Sequence, residues 1–180
     1  LEKYFDKFGI NPLSGTPNSM MTPLKTFVLA ILSIALAATA QAGDFLTDFE
    51  AGKKKAAEEN KPLLVKFTGS DWCPPCIKLD QEVFSQKSFK SAVEKDFVVV
   101  VLDYPRKKKL PAAQTKANKE VAKKYGLRSY PTVMLMDSEG KVFKSMSGYS
   151  APPKADNGKS VSVETYLKTL KSALKARKFQ

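Results

Sequence analysis

Histidine is absent from the 180 residues, and cysteine occurs only twice. The first absence excludes Ser-His-Asp triads, Cys-His pairs and histidine-rich metal sites. The second leaves a four-ligand zinc site dependent on carboxylates or on another chain. Acidic residues are scarce beside basic ones: 18 Asp and Glu against 30 Lys and Arg, a formal net charge of +12. Such a surface favours acidic partners, anionic membranes or nucleic acid. No nucleic-acid motif accompanies the charge, so it reads as a solvated surface and no nucleic-acid partner is expected. The longest basic run, Arg106-Lys107-Lys108-Lys109, is short and lies between two prolines. It reads as an exposed loop. Internal repeats are also lacking, and a hydrophobic content of 43% suits one core.

What is present begins with an export pattern. Residues 21–42 read MTPLKTFVLAILSIALAATAQA. Lys25 supplies a positive start, Phe27 to Ala38 an apolar run broken by Ser33, and Ala40-Gln41-Ala42 small residues where a signal peptidase reads. A signal peptide cleaved between Ala42 and Gly43 is expected, and with it a periplasmic or otherwise exported protein. The apolar run falls short of the roughly 20 residues a membrane span needs, so an uncleaved anchor is the weaker reading. No cysteine follows the run, which speaks against a lipid anchor. Residues 1–20 precede Met20 and Met21, where such a peptide would begin. They read as an over-extended start, leaving residues 43–180 as one domain.

The pattern of that domain is α/β. Thr47 to Asn60 is expected as a helix capped by Thr47, with Phe49, Ala56 and Ala57 inward. Leu63 to Thr68 reads as a buried strand. Pro74 to about Phe84 reads as a helix, followed by a further turn from Ser85 or Ser88. Phe97 to Leu102 is a second buried strand, parallel to the first because a helix connects them. Asp103 to Asn118 is expected as a loop and Lys119 to Tyr125 as a helix stopped by Gly126. Thr132 to Asp137 and Lys141 to Ser147 form a hairpin around Ser138-Glu139-Gly140. A loop over residues 151–160 leads to a last helix, with Val163, Tyr166, Leu167, Leu170 and Leu174 on one face.

The chemistry lies in Trp72-Cys73-Pro74-Pro75-Cys76, which leaves a strand and opens a helix. A C-x-x-C pair in that setting is a redox signature. Cys73 at the N-cap meets the positive end of the helix, which favours its thiolate. Pro74 and Pro75 fill the first turn, where a missing N–H costs little. The Cys76 N–H is then the first donor after Cys73, and it is expected to hydrogen-bond the Cys73 thiolate. Cys73 would attack a substrate disulfide and Cys76 would resolve the mixed disulfide. Three blander readings compete with this one. A purely structural disulfide would close a very short loop and remove little unfolded-state entropy. The pair could also form half of an intermolecular metal site, or be two inert thiols, which is at odds with export. Trp72 reads as a ring shielding the nucleophile, or as plain packing.

These residues carry a resemblance. KPLLVKFTGSDWCPPC (61–76), KLDQEVFS (78–85) and YGLRSYPTVMLMD (125–137) resemble the thioredoxin superfamily. The likeness is to exported bacterial members related to the C-terminal domain of periplasmic thiol:disulfide interchange reductases. It implies a thioredoxin fold, a central mixed sheet of about four strands flanked by helices. It also implies a cis bond before Pro131, with Tyr130 offering backbone hydrogen bonds to substrate. Gly148 resembles the family glycine that lets substrate approach, and is otherwise a turn glycine. Many relatives hold a buried carboxylate where Lys66 stands here. Lys66 would lower a cysteine pKa if it reached behind Cys76, or would snorkel to solvent.

The expected function is that of an exported thiol–disulfide oxidoreductase, reducing protein disulfides or relaying electrons. Its expected partners are disulfide-bearing proteins and a membrane-bound electron donor. A monomer is expected, and the dithiol needs neither cofactor nor metal. A disulfide oxidase or isomerase of the same fold is a second reading, and a redox-silent peptide-binding module a third. Relatives of this fold span about −270 to −120 mV, roughly 7 kcal/mol for two electrons.

Overall fold

The computed structural model describes residues 45–152 and 162–177. The expected start extension, the signal peptide and most of the loop at 151–160 lie outside these residues. The elements are α1 (Phe49–Glu59), β1 (Leu63–Thr68), α2 (Pro74–Leu79), α3 (Lys87–Asp96), β2 (Val98–Asp103), α4 (Ala112–Lys124), β3 (Thr132–Met136), β4 (Val142–Ser147) and α5 (Ser162–Arg177). A π-helical turn, Asp80–Phe84, continues α2 without a break.

The strands form one sheet in the order β2-β1-β3-β4. β1 and β2 are parallel, as their crossover connection requires, while β3 is antiparallel to both β1 and β4. Alternation along β1 sends Leu63, Val65 and Phe67 to one face and Leu64 and Lys66 to the other. Phe49, Ala56, Val100 and Met134 pack with the first group. Leu79, Val83, Phe84, Phe89 and Leu170 pack with Leu64 on the second face. Lys66 therefore points toward the face covered by the motif helix, α3 and α5. All six residues of β1 are buried, which is why it reads as a continuous apolar run interrupted by one lysine.

Three local expectations need correction. The cap of α1 is Asp48 rather than Thr47: its carboxylate accepts the Ala51 N–H at 2.7 Å. Asp is the stronger cap because a charged acceptor meets the helix's positive end. Ala57 faces solvent, and Gly52 lies inward instead, where a Cβ would stand 2.3 Å from Val100 Cγ2. The long loop at 103–118 is in fact short, because α4 starts at Ala112. Only Asn118 of α4 is buried, so the helix has no apolar stripe to announce it. Its alanines, good helix formers, and its N-cap Pro111 account for the early start.

Candidate active site

Cys73 and Cys76 are joined by a disulfide, S–S 2.11 Å and Cα–Cα 5.2 Å. Cys73 is the N-cap of α2, and the prolines take its first two positions. Both sulfur-bearing residues are buried, Cys76 completely. In this oxidised form the Cys76 N–H is donated to the Cys73 carbonyl at 3.0 Å, and so is the Ile77 N–H. The expected bond from the Cys76 N–H is to a Cys73 thiolate, a species that belongs to the reduced form.

Trp72 is fixed from three sides. Its ring covers Gly69, where a Cβ would stand 2.5 Å from Cε2. Its Nε1–H donates to the Tyr104 carbonyl at 2.8 Å. Its edge meets the Tyr130 ring, centroids 5.6 Å apart, and Tyr130 in turn packs on Tyr104 at 5.2 Å. The Tyr130–Pro131 bond is cis, the isomer the resemblance implies. The Trp72–Tyr130 contact brings this segment beside the motif. Gly148 donates its N–H to the Pro131 carbonyl at 2.8 Å. Its φ of 76° explains a glycine here without a substrate, since side chains rarely adopt it.

Lys66 does not reach solvent: it is 2% exposed. Its ammonium pairs with the Asp80 carboxylate and lies 4.4 Å from the centre of the Phe84 ring. Asp80 is four residues beyond Cys76, so both project from the same side of the helix. Burial pushes the Lys66 pKa down, while the Asp80 charge and hydrogen bond oppose that shift, with a smaller contribution from Asp103. Lys66 is thus half of an ion pair rather than a lone positive charge. The pair joins a lysine on the strand to a carboxylate that follows the motif helix.

The residues after β2 are clamped to the motif. The Asp71 carboxylate accepts the backbone N–H groups of Arg106, Lys107 and Lys108 at 2.8 to 2.9 Å. These bonds, that from Arg106 foremost, hold its pKa at about 2. The Arg106 guanidinium stacks over Trp72, 3.7 Å from the ring centre. Asp103 accepts from the Ser70 N–H and hydroxyl at 2.9 and 2.7 Å and pairs with Lys108 at 2.8 Å. Burial pushes the Asp103 carboxyl up, but Lys108 and Ser70 together hold it below its ordinary value. Sequence reasoning passed over Asp71, Asp80, Asp103 and Tyr104. Only Asp80 had a readable signal, its i+4 spacing from Cys76. The others act through contacts more than thirty residues apart. A cleft of about 330 Å³, lined in part by Lys66, Thr68, Ser70, Asp80 and Asp103, opens beside the ion pair, whose Asp80 end is partly exposed. Thr68 Oγ1 is buried there without a hydrogen-bond partner among the described residues.

Comparison with known proteins places these features in context. The model of a family described as a thioredoxin-like domain matches residues 49–157. "Disulfide bond reductase DsbH" of Chlamydia pneumoniae is 32% identical over 120 residues, 67% of this chain and 66% of the relative. "Thioredoxin-related protein DsbJ" of the same organism is 29% identical over 123 residues, 64% of this chain but 35% of the relative. The chain thus spans under two thirds of either curated relative. A solved structure titled "DsbH Oxidoreductase" superposes with a TM-score of 0.61 at 24% identity, covering 90% of this chain and 95% of that one. The oxidised C-terminal domain of Neisseria meningitidis DsbD gives 0.51 at 19% identity, covering 72% and 98%. At these identities the superpositions speak for the thioredoxin fold.

Proposed function

Because the chain belongs to the thioredoxin-like family, we propose that it is an exported thiol–disulfide oxidoreductase, working as a protein-disulfide reductase or electron relay through Cys73 and Cys76. The observation that carries this reading is the Cys73–Cys76 disulfide at the start of α2, set against the Trp72–Tyr130 contact. A redox pair needs one sulfur at the N-terminus of a helix and a second within bonding distance.

In the reductive direction the Cys73 thiolate attacks one sulfur of a substrate disulfide. A Cys73–substrate bond forms, and the first substrate thiolate leaves and takes up a proton. Cys76 loses its proton and attacks Cys73 Sγ. The second substrate thiol is released, two electrons having passed to the substrate and the protein disulfide having re-formed. The backbone at Tyr130 and Pro131, with Gly148 beside it, holds the substrate segment in extended form across the motif. Trp72 walls the nucleophile, and Pro74 and Pro75 keep the first turn free of competing N–H donors. The Lys66–Asp80 pair is a group able to tune the thiols from behind. Residues 21–42 carry the protein out of the cytoplasm, where disulfides persist. A membrane-bound donor of electrons would return the pair to the dithiol. The protein works as a monomer without cofactor.

The reduction potential of the purified protein, equilibrated in glutathione buffers, tests this. A value near or below about −230 mV supports the reductase. A value near −120 mV overturns the direction and makes the protein a disulfide donor. A pair that fails to cycle overturns the enzyme altogether and leaves a peptide-binding module. As a second check, Cys73→Ser abolishes insulin-disulfide reduction if the mechanism holds.

A further inference from the structure

The net charge of +12 is not spread evenly in its consequences. One basic segment is held in place at the site. Asp71, two residues before Cys73, ties down the backbone of Arg106, Lys107 and Lys108 with three hydrogen bonds. Arg106 lies flat on Trp72, which itself touches the Tyr130 ring beside Pro131. The positive charge therefore begins one indole ring away from the place proposed for the substrate.

The nearby charges divide unequally. Lys108 is paired with Asp103. The Asp71 carboxylate is occupied by backbone N–H groups, and Asp80 by Lys66. Arg106, Lys107 and Lys109 are exposed, and among the described residues no carboxylate pairs with them. Arg128, also exposed, stands two residues before Tyr130. Asp71 keeps its negative charge, since neutral amides satisfy its oxygens without cancelling it, but the three unpaired cations of the loop outnumber it and leave the rim net positive. A loop kept only for solubility would not need its backbone fastened to the residue just before Trp72-Cys73.

We propose that Arg106, Lys107 and Lys109 form a substrate-docking lip that selects protein disulfides flanked by aspartate or glutamate. The proposal rests on the reductase reading and deepens it by naming a substrate class. Fixed like charges at the mouth of a site raise encounter rates with oppositely charged partners and lose that effect in salt. Holding the loop by its backbone leaves the side-chain charges free for the partner and lowers the ordering cost of binding.

The test uses the reduced full chain and three synthetic peptides. Each has one intramolecular disulfide, flanked by three glutamates, three asparagines or three lysines. Oxidation of the chain is followed by stopped-flow fluorescence of Trp72, its only tryptophan. At low ionic strength the glutamate peptide reacts about 10-fold or more faster than the asparagine peptide, and the lysine peptide more slowly. In about 0.5 M salt the three rates converge to within about 2-fold, as screening requires. Lys107→Glu combined with Lys109→Glu reverses the order of the glutamate and lysine peptides. Equal rates at low salt, or an order that the double substitution leaves unchanged, overturn the lip and leave the reductase standing. No reaction with any peptide overturns the reductase reading, and the lip as a substrate site falls with it.

Discussion

Replacing Asp80 by Asn leaves the buried Lys66 ammonium without its counter-charge. Removing one partner of a buried pair costs about 3–5 kcal/mol in general. Here the Phe84 face, 4.4 Å from Lys66 Nζ, remains and returns up to about 2 kcal/mol. A loss of about 1–3 kcal/mol at pH 7 is the expected balance. A ceiling also applies, because the lysine can shed its proton on folding. With an ordinary value of 10.5, that route costs at most about 1.36 × (10.5 − 7), roughly 4.8 kcal/mol at pH 7, and about 1.4 kcal/mol at pH 9.5. The sign follows from proton counts. The folded Lys66 pKa is lowered, so the unfolded chain binds more protons between the folded value and 10.5. Stability then rises with pH across that window, and more steeply once Asp80 is gone. Guanidinium unfolding of the oxidised protein and of Asp80→Asn at pH 7 and 9.5, each variant read against wild type at the same pH, measures it. The loss shrinks to about 1.4 kcal/mol or less at the higher pH. Lys66→Met added to Asp80→Asn recovers most of the loss, since no charge is then buried. An equal loss at both pH values, or a double variant no more stable than Asp80→Asn, refutes the reasoning.

The same pair predicts opposite redox shifts. Asp80→Asn favours the reduced thiolate and raises the reduction potential by up to about 30 mV, whereas Lys66→Met lowers it by a similar amount, both read in glutathione buffers. Asp71 is held at about pKa 2 by the loop amides, so its contribution is present above its ordinary value of 3.8 and lost as pH falls through about 2. Amide exchange at Arg106, Lys107 and Lys108 therefore speeds up in Asp71→Asn at pH 7 but stays slow in wild type down to about pH 3. Gly52→Ala would help an isolated helix by about 1 kcal/mol, yet its Cβ would meet Val100 Cγ2 at 2.3 Å. Overpacking wins, and chemical denaturation shows a net loss of about 1–3 kcal/mol.

The elements that could be read from sequence are those with local signals. β1 matches its apolar run residue for residue, and the hairpin of β3 and β4 follows from Gly140, whose φ is 89°. The motif is equally local, since strand, N-cap and two prolines lie within a few residues. What escaped was non-local. α4 buries a polar residue, Asn118, whose side-chain Nδ2 donates to the Asp103 backbone carbonyl at 3.0 Å and whose backbone carbonyl accepts from the Tyr104 hydroxyl at 2.7 Å. No hydrophobic period betrays such a helix. Lys66 was visible as a departure from the family; the i+4 spacing of Asp80 from Cys76 was also readable, but its pairing with a lysine fourteen residues away on β1 was not.

The two departures from a neutral thioredoxin-like site have different electrical characters. On the α2 side of the sheet, Lys66 and Asp80 cancel in net charge, so their influence falls off quickly with distance. At the rim of the site, Arg106, Lys107 and Lys109 are exposed and unpaired among the described residues, so their field extends into solvent over a Debye length of about 8–10 Å. A neutral pair cannot steer a distant partner, and a screened rim of charge cannot strongly set the energy of a buried sulfur. Under the proposed function, tuning of the thiols and choice of substrate would therefore reside in separate residues. Substitutions at Lys66 and Asp80 should move the potential without altering peptide preference, and substitutions at Lys107 and Lys109 should do the reverse. A single series of variants read by both potential and peptide rate would expose any mixing of the two roles.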